Sequence, residues 1–421
     1  MRKILISTMI GNGLEWYDYA LYAQFSHIIG IHFFPESDLA DILTFAVFAA
    51  GFIVRPLGAV FFGALGDIFG RRYALAVGMI SMAIPTAAIG FLPSYQVIGV
   101  FAPILLTLMR LIQGFSLGGE FSGCISYVVE SSDIKKRGLY GSTTFLSMCL
   151  GMLFGGLTAE LCKQVMDHEF LVSFGWRIPF FFGLFIGLIG YYIRTKLQES
   201  PLYEEAKANG NISRTPVMDL ARYNSKRLII AIGLYLSVTV PFYINTVYLS
   251  THIKYVGFDD SLASKANIAI LISMSCALVV SAWISDKIGR KPVMTFACFV
   301  YLVLAYPLFA LISPNSSQAL VILTSAIMGG MNGIFMGPIP TVLVELFPTN
   351  IRFTGVALSY NLTAAIFGGT TPMILMILIA KFSSVMIVPY YLTIFICITL
   401  VSLIYYKETY KNILNEKFRE A

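Results

Sequence analysis

Gly63-Ala64-Leu65-Gly66-Asp67-Ile68-Phe69-Gly70-Arg71-Arg72 closes one long apolar run, and Ser285-Asp286-Lys287-Ile288-Gly289-Arg290-Lys291 closes another in the second half of the chain. A second pair follows later runs. Glu130-Ser131-Ser132-Asp133-Ile134-Lys135-Lys136-Arg137-Gly138 matches Glu345-Leu346-Phe347-Pro348-Thr349-Asn350-Ile351-Arg352. Two motifs repeating at nearly the same offset indicate two related halves. Between the motifs lie apolar runs long enough to cross a bilayer, for which roughly 20 residues suffice. They fall near 4–31, 41–64, 73–92, 98–128, 139–163, 174–194, 228–250, 262–284, 293–312, 318–343, 354–380 and 385–406. The reading is an all-α integral membrane protein of twelve transmembrane helices in two six-helix repeats, 1–194 and 227–421. The polar stretch 195–226, with Pro201, Gly210 and Pro216, is a linker whose Glu204–Ala208 part suits a short surface helix.

Composition agrees. Charged residues are 12% of the 421, about half of the ~25% usual in a soluble domain. Met1-Arg2-Lys3 ahead of apolar residues looks like a secretory leader, but Glu15 and Asp18 interrupt the apolar core, so this run is read as the first transmembrane helix. The net charge of +6 reflects topology rather than a nucleic-acid partner. Basic residues crowd one set of connections: Arg2, Lys3, Arg71, Arg72, Lys135, Lys136, Arg137, Arg194, Lys196, Lys207, Arg214, Arg222, Lys226, Arg227, Lys287, Arg290, Lys291, Arg352, and Lys407, Lys411, Lys417 and Arg419 at the end. The opposite connections hold only Lys163, Lys254, Lys265 and Lys381. The positive-inside rule then places both termini in the cytosol. Six scattered cysteines and four scattered histidines show no ligand spacing, so no metal site is expected.

Charge inside a membrane is costly unless paired or wetted, so each such residue is a functional candidate. On the first helix Thr8, Gly11, Asn12, Glu15, Asp18, Tyr19, Tyr22 and Ser26 share one face, while Trp16 and Tyr17 point elsewhere. A continuous polar stripe must face a cavity or protein, not lipid. Glu15, about 16 Å from the inner end at 1.5 Å per residue, and Asp18, one turn further out, are both candidates for proton coupling. Arg110, Gln113, Leu117 and Glu120 share a face of the fourth helix. Arg110 suits either a helix 1 carboxylate such as Asp18 or a substrate carboxylate. Arg55 suits either substrate binding or, the favoured reading, a structural charge network with Glu120, and Arg177 is expected to reach the outer interface. The second half has no charge near its helix middles. Tyr243, Asn245, Asn332 and Asn361, with Tyr19, Tyr22, Arg110 and Gln113, are the substrate-binding candidates; aromatic faces there suit a quaternary ammonium.

Gly114-x-x-x-Gly118, Gly119-x-x-x-Gly123, Gly151-x-x-x-Gly155 and Gly333-x-x-x-Gly337 suit close helix contact. At the cytosolic ends, Asp67, Arg71, Arg72, Glu130 and Arg137, mirrored by Asp286, Arg290, Lys291, Glu345 and Arg352, are read as surface charges that pair between helix ends. Exposed pairs contribute only about 0–1 kcal/mol each. A network of them still biases two states of similar energy.

These residues carry a family resemblance. Gly63-x-x-x-Asp67-x-x-Gly70-Arg71-Arg72 resembles the signature loop of the major facilitator superfamily. Gly13-Leu14-Glu15-Trp16-Tyr17-Asp18-Tyr19, Arg55-Pro56-Leu57-Gly58, Arg110-Leu111-Ile112-Gln113-Gly114, Gly175-Trp176-Arg177-Ile178-Pro179-Phe180 and Gln198-Glu199-Ser200-Pro201 resemble its metabolite:proton symporters, most of all proline/betaine transporters. The resemblance implies the major facilitator fold and a symporter importing a small zwitterion or carboxylate by alternating access. It implies too that the cytosolic clusters latch that face while the cavity opens outward. Relatives for citrate, shikimate and 2-oxoglutarate share most of these motifs. A passive facilitator and a non-transporting nutrient sensor remain alternatives. The chain stops soon after the twelfth run, without the heptad tail of some osmosensory members, so osmotic activation is not implied. No nucleophile–base constellation is present, so no enzyme activity is expected. No cofactor is expected beyond a proton gradient. The expected partners are a small solute, protons and the lipid of a bacterial inner membrane, around a monomer.

Overall fold

The computed structural model describes residues 1–35 and 40–410, so Lys411, Lys417 and Arg419 lie outside the described residues. Those described form helices and connections, without a strand among them. Twelve long helical segments run in order: α1 (Arg2–Gln24, continued after a break at Phe25 by Ser26–Phe33), α2 (Ala40–Ile68), α3 (Arg71–Phe91), α4 (Phe101–Glu130), α5 (Arg137–Val165), α6 (Ile178–Thr195), α7 (Ser225–Tyr243), α8 (Asp260–Ile288), α9 (Arg290–Ala310), α10 (Gln318–Met336), α11 (Arg352–Thr363) and α12 (Ile387–Tyr405). Eleven of the spanning segments are long and apolar enough to cross a membrane by length and composition alone. The first is less apolar, with Asn12, Glu15 and Asp18 within it. Exposed Ile53, Phe91, Phe154, Phe185, Val303 and Ile404 turn outward, the inverse of a soluble surface and suited to lipid. The chain is a multi-pass membrane protein.

Helix pairs are set by small residues. A Cβ on Gly114 would collide with the Gly51 carbonyl and one on Gly58 with that of Phe115, so α2 and α4 pack backbone to backbone. Gly151 does the same for α5 against Gly13 of α1, and Gly333 and Gly337 for α10 against α8. Across the halves α2 lies on α11 and α5 on α8. Two helices of the second half relax into a π-helical turn in mid-course. α7 does so at Ile244–Tyr248 before Leu249–Tyr255, and α11 at Ala364–Gly368 before Thr371–Phe382. Such turns recur at functional sites, where they re-aim side chains.

The connection after α6 is docked rather than free. It forms two helices, Pro201–Ala208 and Pro216–Tyr223. The first starts earlier than its sequence suggested, because Pro201 suits the first helical turn and Ser200 accepts from the Tyr203 N–H as cap. Tyr203 and Leu220 are buried against the bundle.

Candidate functional site

At the basic end of the bundle the repeated motifs are not surface charges. Asp67, Arg71, Glu130, Arg290, Glu345 and Arg352 are all buried, because neighbouring helix ends and the docked connection cover them. Only Arg72 is exposed. Arg71 grips Glu130 with Nε and Nη2, at 3.1 and 3.0 Å, and lies 3.0 Å from Asp67. Arg352 of the other half donates to the same Glu130 at 2.9 Å. Asp67 accepts the N–H groups of Phe353 and Thr354, at 3.1 and 2.9 Å, and so caps the start of α11. The mirror contact runs the other way: Asp286 accepts from Gly138 and Leu139 at the start of α5, at 2.8 and 2.9 Å. Arg290 reaches Asp286 at 2.7 Å and Glu345 at 3.5 Å. Arg137, also buried, has Glu345, Arg352 and Arg290 as its charged surroundings. Each half thus caps a helix of the other with a carboxylate, where a helix N-terminus favours negative charge.

Sequence reasoning missed the outer part of this frame. Glu199 accepts from the N–H groups of Arg71, Arg72 and Ser200, and Ser200 donates to Glu130. Burial pushes the Glu199 carboxyl up from its ordinary value. Glu408 accepts from the N–H groups of Lys291, Thr409 and Tyr410, and Thr409 donates to Glu345 at 2.6 Å. Lys291 Nζ meanwhile holds the Tyr406 carbonyl at 2.9 Å. The signal was present as Gln198-Glu199-Ser200 against Lys407-Glu408-Thr409, a third repeat. Gly70 and Gly289, at φ 110° and 107°, make room for these two carboxylates.

In mid-helix the first half carries two charge groups and one uncompensated pair. Arg110 donates to Asp18 at 3.0 Å and to Gln113 at 2.7 Å; Gln113 donates to Asp18 at 3.2 Å and to Thr86 at 2.7 Å. The Arg110 guanidinium stacks 3.6 Å over Tyr22, whose hydroxyl donates to the Thr44 carbonyl. Glu120 does not pair with Arg55. Its partner is Arg194, which the sequence placed among the loop charges. Arg194 ends α6 and turns inward, gripping Glu120 with both terminal nitrogens and the Leu75 carbonyl with one. Arg177 closes the opposite end, donating to the Gly90 and Leu92 carbonyls at 2.7 Å each.

Glu15 is 2% exposed, and neither carboxyl oxygen has a hydrogen-bond partner. Its charged surroundings are Arg55 of α2, Glu120 of α4, Arg194 of α6 and Asp18 on its own helix. Arg55 is 1% exposed, with Nε and Nη1 unpartnered and its Cζ 4.3 Å over the Phe52 ring. The polar stripe of α1 is therefore divided rather than facing one cavity. Asn12 donates to Thr144 and Ser147 of α5, at 2.6 and 2.7 Å, while Trp16, expected to point away, meets Phe242 of α7 at 6.0 Å. An interior helix has neighbours on every side, which a single-face reading omits.

Among the second-half candidates, Tyr243 meets Phe52 across the halves at 6.2 Å. Asn245 donates to the Met328 carbonyl at 3.1 Å. Asn361 donates to Gly118 of α4 and to Ala357, at 2.7 and 2.8 Å, and so ties the halves together. Asn332 is fully buried with both amide atoms unpartnered. Tyr360 packs on Phe121 and Tyr235, at 4.7 and 5.3 Å.

The family model described as Major Facilitator Superfamily matches residues 34–369 and 242–421. The glycine betaine/proline/ectoine/pipecolic acid transporter OusA of Dickeya dadantii is 33% identical over 97% of this chain and 84% of its own length. A putative proline/betaine transporter of Staphylococcus aureus is 35% identical over 93% of this chain and 85% of its own. The proline/betaine transporter of Salmonella typhimurium is 32% identical over 97% and 84%. Among solved structures, the proton:xylose symporter XylE bound to 6-bromo-6-deoxy-D-glucose superposes with a TM-score of 0.78, at 17% identity over 96% of this chain and 94% of that one. At that identity the likeness bears on the fold.

Proposed function

The chain belongs to the major facilitator superfamily and is a secondary transporter, and from that premise we propose that it imports a small zwitterion of the proline or glycine betaine kind together with protons. The substrate class is supported by relatives of that name aligned over more than nine-tenths of the chain. The observation that carries proton coupling is Glu15, a carboxyl buried in mid-helix with no hydrogen bond to either oxygen. With no hydrogen bond fixing either oxygen, Glu15 is the intramembrane carboxyl best placed to carry a proton as its surroundings change. Asp18 is the weaker candidate, because its carboxylate is already engaged by Arg110 and Gln113.

The halves 1–194 and 227–421 rock about the central site. The basic end faces the cytosol with both termini, as the charge distribution favours. In this state the carboxylates Asp67, Glu130, Asp286 and Glu345, with Arg71, Arg137, Arg290 and Arg352, hold that end shut, and the cavity opens by parting them. The transporter works as a monomer in the bacterial inner membrane, with the proton gradient as its energy source and no cofactor.

Uptake of labelled proline and glycine betaine into proteoliposomes, with and without an inward proton gradient, tests this reading. Accumulation above equilibrium only with the gradient is the expected result. Equilibration without accumulation would make it a facilitator, and transport of citrate or shikimate alone would overturn the substrate class.

A further inference from the structure

Five aromatic rings close a circuit where the halves meet. Trp16 to Tyr19 is 5.5 Å, Tyr19 to Phe52 5.5 Å, Phe52 to Tyr243 6.2 Å, Tyr243 to Phe242 5.5 Å and Phe242 back to Trp16 6.0 Å. The rings come from α1, α2 and α7, and all five contacts are edge-on or steeply tilted, four at 66–84° and one at 55°. Successive centroids are 5.5–6.2 Å apart, so a cation held beside one ring is close to its neighbours and near the ~6 Å reach of a cation–π contact.

Arg55 stands at the edge of this circuit, 4.3 Å over Phe52 and 5.5 Å over Tyr19. It differs from five other buried arginines. Arg71, Arg110, Arg194, Arg290 and Arg352 each reach a carboxylate. Arg55 has no carboxylate within ion-pair distance among the described residues, and two of its nitrogens lack any acceptor. Its side chain hydrogen-bonds to the Tyr360 hydroxyl. A buried guanidinium without a carboxylate partner is costly, and a carboxylate brought to it by a ligand relieves that cost.

We propose that Arg55 and the Trp16–Tyr19–Phe52–Tyr243–Phe242 circuit form one subsite that reads both ends of a zwitterion. The carboxylate lies on Arg55 and a methylated or ring-substituted ammonium lies among the five rings. The inference rests on the zwitterion reading above and deepens it. A substituted ammonium has few or no N–H groups, so it needs aromatic faces rather than acceptors; a primary ammonium has three N–H groups that the rings leave unsatisfied. The subsite therefore favours glycine betaine and proline over glycine. Because Tyr243 and Phe242 come from the second half, an occupied subsite draws the halves together. Glu15, next to Trp16 and facing Arg55, sets whether Arg55 is already balanced: ionised, it competes with the ligand carboxylate; protonated, it leaves Arg55 to the ligand.

Equilibrium binding of labelled glycine betaine to the purified full-length chain, in competition with choline and glycine, tests the subsite. Choline carries the quaternary ammonium without the carboxylate. Arg55→Gln is expected to weaken glycine betaine at least about tenfold and to leave choline competition unchanged, which also shows that the variant is folded. Arg55→Lys is expected to recover part of the loss. Tyr243→Leu is expected to weaken both ligands, and Tyr243→Phe neither. Glycine betaine binding that survives Arg55→Gln, or equal loss of choline in that variant, would overturn the subsite while leaving the zwitterion transporter standing. A wild-type chain that neither binds nor takes up any zwitterion would overturn the parent reading and this one with it.

Discussion

At their basic ends the two halves are built alike, and in mid-helix they are not. Asp67, Arg71 and Glu130 of the first half, with Glu199 and Ser200 of the connection that follows it, have counterparts in Asp286, Arg290, Glu345, Glu408 and Thr409, down to which carboxylate caps a helix of the opposite half. The interiors share nothing of the kind. The first holds Glu15, Asp18, Arg55, Arg110, Glu120 and Arg194, all buried, where α7 to α12 offer tyrosines, asparagines and two π-helical turns. A latch between two rocking bodies has to be gripped from both sides, so its parts come in pairs. A proton carrier and a ligand anchor need occur once, and one charged interior costs less than two.

The comparison can be broken from either side. The largest effect is expected from Glu130→Ala, which leaves Arg71 and Arg352 facing each other without their shared carboxylate. Loss of one partner of a buried ion pair costs about 3–5 kcal/mol. A clear fall in thermal unfolding temperature in detergent, with faster hydrogen exchange at the basic end, is the expected result. Gly118→Val, whose added atoms would strike the Arg55 carbonyl and Ala59 of α2, comes next at about 1–3 kcal/mol. It should reduce substrate affinity too, because it moves the helix that carries Arg55.

Smaller still is loss of a helix cap. Asp67→Asn and Asp286→Asn should each cost about 1 kcal/mol, by similar amounts, and each should raise the accessibility of cysteines placed across the basic end. A large effect from one and none from the other would contradict the paired latch. At the bottom, Asp260→Asn removes the exposed Lys254–Asp260 pair at 2.7 Å and should change stability by less than about 0.5 kcal/mol. An effect there as large as at Glu130 would show that burial is not what sets these magnitudes.

Much of the fold was legible because its signals are long. Twelve apolar runs and a duplicated charged motif survive errors of a few residues at their ends. The Asp18–Arg110 contact was legible too, since two opposite charges in mid-membrane have few places to go. What failed turned on burial and on neighbours. Arg194 sits two residues from Lys196 at a helix end, and its sequence surroundings are those of a loop cation; only the turn of α6 toward Glu120 distinguishes it. The expected Arg55–Glu120 pair fails because Arg194, read as a loop cation, takes Glu120. The gate residues read as solvated because the sequence does not show that the 201–208 helix and the opposite half cover them. Trp16 was assigned away from the working face because a helical wheel has one polar side, whereas α1 has α4, α5, α6 and α7 around it.

The central claim is that Glu15, and not a second-half residue or Asp18, couples protons to transport. Glu15→Gln in proteoliposomes tests it most directly, with gradient-driven accumulation and substrate counterflow measured on the same preparation. Counterflow that persists while accumulation falls to the equilibrium level is the result this account predicts. Accumulation that continues in Glu15→Gln and disappears in Asp18→Asn would contradict it.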